Sequence, residues 1–261
     1  MTSVGLIGAG RMGAPIIRRL VTAGHDVTAL GRAPDRRTAL AEMGARAVGH
    51  VADVADGADV VVVCVFSDDQ VRQICVDSPL LQAMSAGALL VIHTTGSPDT
   101  VTSIAARAAS YGIEVVDAPM SGGPRDIATG EVTLFVGGAD GAVARIKPVL
   151  LAYADPVLHV GTIGAGQRMK LVNNALFAAQ VELLAEAVLL GDHLGIAEST
   201  LLSALLHGSG ASHAMHSAAM AGSITEFISM TGEFVIKDVA LIRQIVGDIA
   251  LLPRRSKPTD T

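Results

Sequence analysis

A short apolar run, Val4–Ile7, leads directly into Gly8-Ala9-Gly10-Arg11-Met12-Gly13, and a helix-like segment, Ala14–Ala23, follows at once. Strand, glycine loop and helix in that order form the phosphate-binding turn that opens a dinucleotide-binding sheet. Gly8 allows the tight turn, Gly10 lets the backbone approach a pyrophosphate, and Gly13 lets helix and strand pack closely. The pyrophosphate then rests on unpaired N–H groups at the helix start. Gly8, Gly10, Arg11, Met12 and Gly13 are therefore assigned to cofactor binding.

The rest of the first 160 or so residues keeps this rhythm. Val27–Leu30, Val60–Val65, Leu89–Ile92, Val115–Val116 and Leu134–Val136 are rich in Val, Ile and Leu, with little alternation. Strands covered on both faces read this way. Between them, Pro98–Ser110 and Gly141–Leu151 are long enough for crossover helices. The expected class is α/β, with a doubly wound, mainly parallel Rossmann domain over residues 1–161. After Gly161 the strand-like runs stop. Gln167 to about Leu194 contains no Pro and only Gly191, and Leu176, Ala179, Leu183 and Ala187 recur at helical spacing. One long interdomain helix thus opens a smaller all-α domain over 162–261, for substrate binding and dimerisation. The polar tail after Leu252 is expected to fray.

Composition excludes several alternatives. Half of the 261 residues are hydrophobic and the net charge is only −6, which argues against disorder. A pI near 5.7 argues against nucleic acid or an anionic membrane as partner. Cys64 and Cys75 cannot build a disulfide scaffold, and Cys64 reads as a buried small hydrophobe. His213 and His216 lack further ligands at fitting spacing, so no metal site is expected. No stretch of about 20 uncharged apolar residues occurs, and Glu182, Glu186 and Asp192 interrupt the most apolar segment. With no signal peptide at the start, the expectation is a soluble cytoplasmic protein. The low charge of Leu171–Ile196 suits a shared helical interface in a homodimer.

The second strand should end on Asp or Glu where a ribose 2′-hydroxyl is to be bound. This chain has Leu30-Gly31-Arg32 there, with Arg36 and Arg37 close behind. Guanidinium groups bind phosphate bidentately and stack on adenine. NADP(H) is therefore the expected cofactor, with Arg32 on the 2′-phosphate and Arg36 nearby; the alternative is a set of solvated arginines opening a helix.

These residues resemble the β-hydroxyacid dehydrogenase family, the group containing 3-hydroxyisobutyrate dehydrogenase. Gly5-Leu6-Ile7 with the glycine loop, then Gly24-His25 and Arg32, resemble its opening signature. Asp117-Ala118-Pro119-Met120-Ser121-Gly122-Gly123 is similar to its substrate-binding motif, and Gly161–Gly166 with Lys170-Leu171-Val172-Asn173-Asn174 resembles its catalytic segment. Gly208–Ser212, Phe234 and Lys237-Asp238 look like its later landmarks. The resemblance covers residues 3 to about 245, and the chain ends about 23 residues after Asp238, sooner than is usual in the family. Either a partner subunit then covers the exposed helical face or the second domain is reduced.

The resemblance implies hydride transfer between nicotinamide and a small 3-hydroxy acid or its semialdehyde. Lys170 is the implied proton donor and acceptor, a role lysine fills when burial or nearby positive charge lowers its pKa. Asn174, four residues on, shares its helix face and is implied to hold substrate or orient Lys170. Ser121, Gly122 and Gly123 are implied to bind the substrate carboxylate through hydroxyl and backbone N–H groups. Thr95 occupies the nicotinamide-contact segment, while His93 stands where many members carry Asp. Lys237 resembles a lysine that reaches the cofactor, or is a surface lysine beside Asp238. Two alternatives stand beside this reading: an NADPH-dependent imine reductase, which Lys170 disfavours, and a non-catalytic NADP-binding protein.

Overall fold

Runs of Val, Leu and Ile that hide both faces make the centre of a nine-stranded sheet in the computed structural model, which describes residues 1–247. Asp248–Leu252 and the tail expected to fray lie outside the described residues. The chain divides into two units, Met1–Lys170 and a second beginning at Leu171. The first runs β1 (Ser3–Ile7), α1 (Gly13–Thr22), β2 (Asp26–Leu30), α2 (Pro34–Glu42), β3 (Arg46–Val48), α3 (Val51–Ala55), β4 (Val60–Val63), α4 (Asp68–Cys75) and α5 (Leu80–Ala83). It continues with β5 (Leu89–Ile92), α6 (Pro98–Ala109), β6 (Glu114–Asp117), β7 (Met120–Ser121), α7 (Pro124–Thr129), β8 (Val132–Gly137), α8 (Asp140–Leu150) and β9 (Ala154–Gly161).

The sheet order is β3-β2-β1-β4-β5-β6-β8, and β7 and β9 both also pair β8. The first six of these strands are parallel, β8 is antiparallel to β6 and β7, and β9 is parallel to β8. Side chains alternate between the faces, so a continuous apolar run serves two cores at once. Val60 and Val62 of β4 and Leu89 and Val91 of β5 pack with Ile16, Ile17 and Leu20 of α1. Val61, Val63, Leu90 and Ile92 pack on the other face with Val71 of α4 and Ile104 of α6. This is the expected α/β architecture. Three strands lack the apolar signature: β3 is short, β7 has two residues, and most of β9 is exposed.

Helix α9 (Ala165–His193) begins in the first unit, and α10 (Glu198–Leu205), α11 (His213–Ala221) and α12 (Ile224–Val246) complete the described chain. In the second unit, Leu171, Ala175 and Ala178 of α9 pack with Val239 and Ile242 of α12. A further cluster joins Leu184 to Leu202, Met215 and Phe227. Ser212 and Ser223 cap α11 and α12 by accepting the Met215 and Glu226 N–H groups. The periodic residues Leu176 and Leu183 are not in this core; they are 49% and 68% exposed, on a helix that also exposes Val172, Leu189 and Leu190. Among the described residues, α9 alone is long and apolar enough to cross a membrane by length and composition. Glu182 and Glu186 in its middle would each cost about 2.5–3.5 kcal/mol at a bilayer centre.

Two glycines separate backbone necessity from chance. A Cβ at Gly166 would lie 2.3 Å from the Phe135 carbonyl oxygen, whereas one at Gly141, inside α8, meets nothing within 4 Å. Gly166→Ala should therefore destabilise the protein by about 1–3 kcal/mol, as overpacking does. Gly141→Ala should stabilise it by about 0.5–1 kcal/mol, because alanine is the better helix former. Thermal unfolding of the two variants beside the wild type checks both signs.

Candidate active site

Strand order reverses beside β1, whose neighbours are β2 and β4, and ligands of doubly wound sheets bind at the carboxyl ends of strands meeting there. The glycine loop leaves β1 at that point. Gly8 has φ +107°, and a Cβ on it would lie 2.1 Å from the Cys64 carbonyl oxygen at the end of β4. A Cβ on Gly13 would lie 2.1 Å from the Gly8 oxygen, so the helix starts pressed onto the loop. Above Gly10 the space is open, with nothing within 4 Å of a built Cβ. Met12 supplies no side-chain cap to α1, and no acidic residue sits in its first turn. The loop thus fits a bound pyrophosphate: open backbone at Gly10 and a helix N-terminus with no competing carboxylate. Arg11 is exposed and Met12 half-buried at its edge.

At the end of β2 the three arginines separate into two roles. Arg37 Nη1 donates to the carbonyl oxygens of Gly31 and Arg32, at 3.0 and 3.1 Å, clasping the turn. Arg32 and Arg36 are exposed. No carboxylate stands between Leu30 and Pro34 to receive a ribose hydroxyl.

The ends of β5 and β6 converge on the start of α9. Asp117, the last residue of β6, is fully buried, and its carboxylate accepts the Gly164 and Gln167 N–H groups, each at 2.7 Å. Burial raises its pKa, while those two N–H donors and the Arg168 charge pull the other way. Gln167 is equally buried; its Nε2 donates to the Thr94 carbonyl and its Oε1 accepts the Gly96 N–H, both at 2.9 Å. Thr94 Oγ1 in turn bonds the Val65 N–H and carbonyl, joining the turns after β4 and β5. Thr95, the next residue, is half-buried. Lys170 follows Gln167 by three residues on α9 and is partly exposed. Asp117 and Gln167 were not singled out from sequence, although a carboxylate closing the apolar run Val115-Val116 was a sign of a buried charge needing donors.

His93 is bonded through both ring nitrogens inside the core. Its Nδ1 lies 2.6 Å from the Ala118 carbonyl and its Nε2 lies 2.7 Å from the Tyr153 hydroxyl. A carbonyl only accepts, so Nδ1 carries the proton and Nε2 accepts from Tyr153. Burial lowers the His93 pKa to about 4, keeping the ring neutral. Cys64 is half-buried against the core rather than fully buried, and desolvation of its thiol pushes the pKa up to about 12.

Ser121 lies in β7, opposite Thr133 of β8, and Gly122 adopts φ +129°. The Gly123 N–H is already committed: it donates to Asp126 Oδ2 at 2.6 Å, closing the first turn of α7. Of the groups expected at Ser121–Gly123, the Gly123 N–H is thus engaged within the chain itself. In the second unit, Asp238 is buried and receives two donors, Asn174 Nδ2 at 2.5 Å and Lys237 Nζ at 2.6 Å. Asn173 Nδ2 donates to Asn174 Oδ1 at 3.0 Å. Lys237 thus neutralises a buried carboxylate, and Asn174 keeps one N–H and one lone pair beyond these bonds.

Comparison with known proteins matches this layout. Residues 3–161 match the NAD-binding domain of 6-phosphogluconate dehydrogenase, and residues 164–252 match the NAD-binding domain of NADP-dependent 3-hydroxyisobutyrate dehydrogenase. The chain belongs to the β-hydroxyacid dehydrogenase family. Like other β-hydroxyacid dehydrogenases it pairs a nicotinamide-nucleotide-binding sheet with a helical second unit. It is 38% identical over 190 residues to an uncharacterised oxidoreductase of Shewanella frigidimarina, covering 72% of this chain and 65% of that protein. It is 33% identical over 233 residues to 2-(hydroxymethyl)glutarate dehydrogenase of Eubacterium barkeri, covering 88% and 75%. The solved 3-hydroxyisobutyrate dehydrogenase of Mycobacterium tuberculosis with L-serine superposes with a TM-score of 0.84 at 29% identity, covering 96% and 90%.

The buried His93 gives this site a pH signature. Its folded pKa lies below the usual 6.5, so the unfolded chain binds the extra proton between pH 6.5 and about 4. Stability from the neutral ring is complete above 6.5 and is lost as pH falls through that window, by roughly 3 kcal/mol in all. His93→Asn should lower the melting temperature at pH 7.5, and its gap from wild type should narrow as pH falls towards 4. A gap independent of pH would contradict the neutral, buried assignment.

Proposed function

We propose that the protein is an NADP(H)-dependent oxidoreductase acting on a small 3-hydroxy acid or its semialdehyde, with Lys170 as proton donor and acceptor. The observation that carries this reading is the anchorage of α9. Its first turn is tied to the ends of β5 and β6, on the sheet edge where the glycine loop also opens, and Lys170 stands one turn further along. A bound nicotinamide supplies the hydride and its electron pair to the substrate carbonyl carbon. Lys170 donates a proton to the oxygen of that carbonyl in reduction and takes it back in oxidation, so charge balances at the new alkoxide. Ser121, Gly122 and Gly123 are assigned to the substrate carboxylate, and Asn174 to holding substrate or orienting Lys170. The relatives named for 3-hydroxyisobutyrate and 2-(hydroxymethyl)glutarate support a substrate that is a small hydroxy acid.

For the cofactor, Gly8, Gly10, Arg11, Met12 and Gly13 are assigned to the pyrophosphate, Thr95 to the nicotinamide, and Lys237 to the cofactor. Arg32 and Arg36 meet the 2′-phosphate, a reading supported by their exposure and by the carboxylate-free turn after β2. The protein works as a cytoplasmic homodimer through its helical unit, supported by the exposed Val172, Leu176 and Leu183 on α9 and by two unpaired cysteines.

Three measurements test this. NADPH oxidation should follow addition of short semialdehyde acids rather than cyclic imines, and Lys170→Ala should lower kcat about 10²- to 10⁴-fold. Full turnover in that variant would remove Lys170 from the proton step. Arg32→Ala should raise the NADPH dissociation constant about 10- to 100-fold and leave that of NADH unchanged. Equal affinities of the wild type for the two cofactors would refute the NADP assignment.

A further inference from the structure

We infer that Gln167 is a positioning residue that sets Lys170 against the loop Thr94–Gly96, a role that rests on the function proposed above. Three observations in the first unit converge on it. Its side chain is completely buried yet polar, and both ends of the amide are used on the same loop: Nε2 donates to the Thr94 carbonyl, and Oε1 accepts the Gly96 N–H. Its own backbone N–H donates to Asp117 Oδ2, beside the Gly164 N–H on Oδ1, so one residue is fixed at both backbone and side chain. The loop it grips is itself immobilised, since Ser97 N–H and Thr100 Oγ1 donate to Asp68, and Thr94 is bonded to Val65.

The consequence is mechanical. Thr95 lies between the two backbone groups that Gln167 holds, and Lys170 lies one helical turn beyond it on α9. The amide is thus a two-pronged spacer between the loop assigned to the nicotinamide and the helix that carries the proton donor. Methionine, of similar size, fills the space and makes neither bond, and asparagine carries the same amide one methylene short of the loop. Hydride and proton must arrive on adjacent atoms in one step, so a displacement of about 1 Å between their carriers costs rate rather than affinity, on the order of 10²-fold.

The test uses Gln167→Met, with Gln167→Asn as the second variant if the first shows no cooperative melting transition, and the same criteria apply to either. In the protein without cofactor, hydrogen–deuterium exchange should rise together at residues 94–97 and 164–168 and stay unchanged in α1. With C4-deuterated NADPH and an active semialdehyde acid, kcat should fall about 10- to 100-fold. NADPH affinity and substrate KM should remain within threefold, and the deuterium isotope effect on kcat should rise as hydride transfer becomes limiting. A kcat within twofold of wild type, or exchange that rises in only one of the two segments, would overturn the proposal. A loss of active protein with unchanged isotope effect would reduce Gln167 to a purely structural residue and overturn it equally. Failure of the parent reading shows elsewhere, as full turnover in Lys170→Ala, and leaves the exchange result to be judged separately.

Discussion

A buried carboxylate on a helix N-terminus underlies the arrangement of the first unit. Asp117 ends β6 with no exposure to solvent, and an isolated ionised carboxylate there would carry a penalty of several kcal/mol. Two N–H groups from the opening turn of α9 meet it at 2.7 Å, and the positive end of the helix dipole faces it. Each side satisfies what the other leaves open: the helix start needs acceptors, and the carboxylate needs donors. The contact demands that β8 and α9 nearly touch, which explains Gly137 and Gly166. A Cβ at Gly137 would lie 2.4 Å from Asp117 Oδ1, and one at Gly166 would lie 2.8 Å from Oδ2. The first turn of α9 is thereby fixed to the sheet three residues before Lys170.

The glycine loop obeys the same logic at the neighbouring strand ends. Gly8 and Gly13 are required by the protein's own backbone, whereas the space over Gly10 is empty of protein. That difference distinguishes glycines that make the turn from the one that leaves room for a ligand. Between the two features, neutral His93 ties the end of β5 to Ala118 and Tyr153. It is an uncharged tether within the core.

Sequence made legible those parts whose cause is local. Continuous Val and Leu runs announced β4 and β5 because both of their faces are covered, and the spacing of Gly8, Gly10 and Gly13 is a property of one turn. The edge strand β9 stayed hidden, since exposed residues, Asp155 and Pro156 among them, give it the texture of a loop. The Asp117 and Gln167 contacts were hidden for another reason. Their partners lie 47 to 73 residues away in the chain, so nothing near either residue declares what it binds. Arg37 shows the limit within a single motif: Arg32, Arg36 and Arg37 look alike in sequence, and only the fold commits one of them to clasping Gly31. Likewise the stripe of Leu176 and Leu183 is periodic as a core stripe would be, yet its own domain leaves it uncovered.

The proposed reaction passes hydride between a nicotinamide and the carbonyl carbon of a small carboxylate-bearing molecule. Incubating the purified protein with C4-deuterated NADPH and a panel of short semialdehyde acids and cyclic imines tests it directly, with NMR locating the label in the product. The account predicts deuterium on the carbinol carbon of a 3-hydroxy acid. Label found only in reduced imines, or no transfer to any acid despite measured NADPH binding, would contradict it.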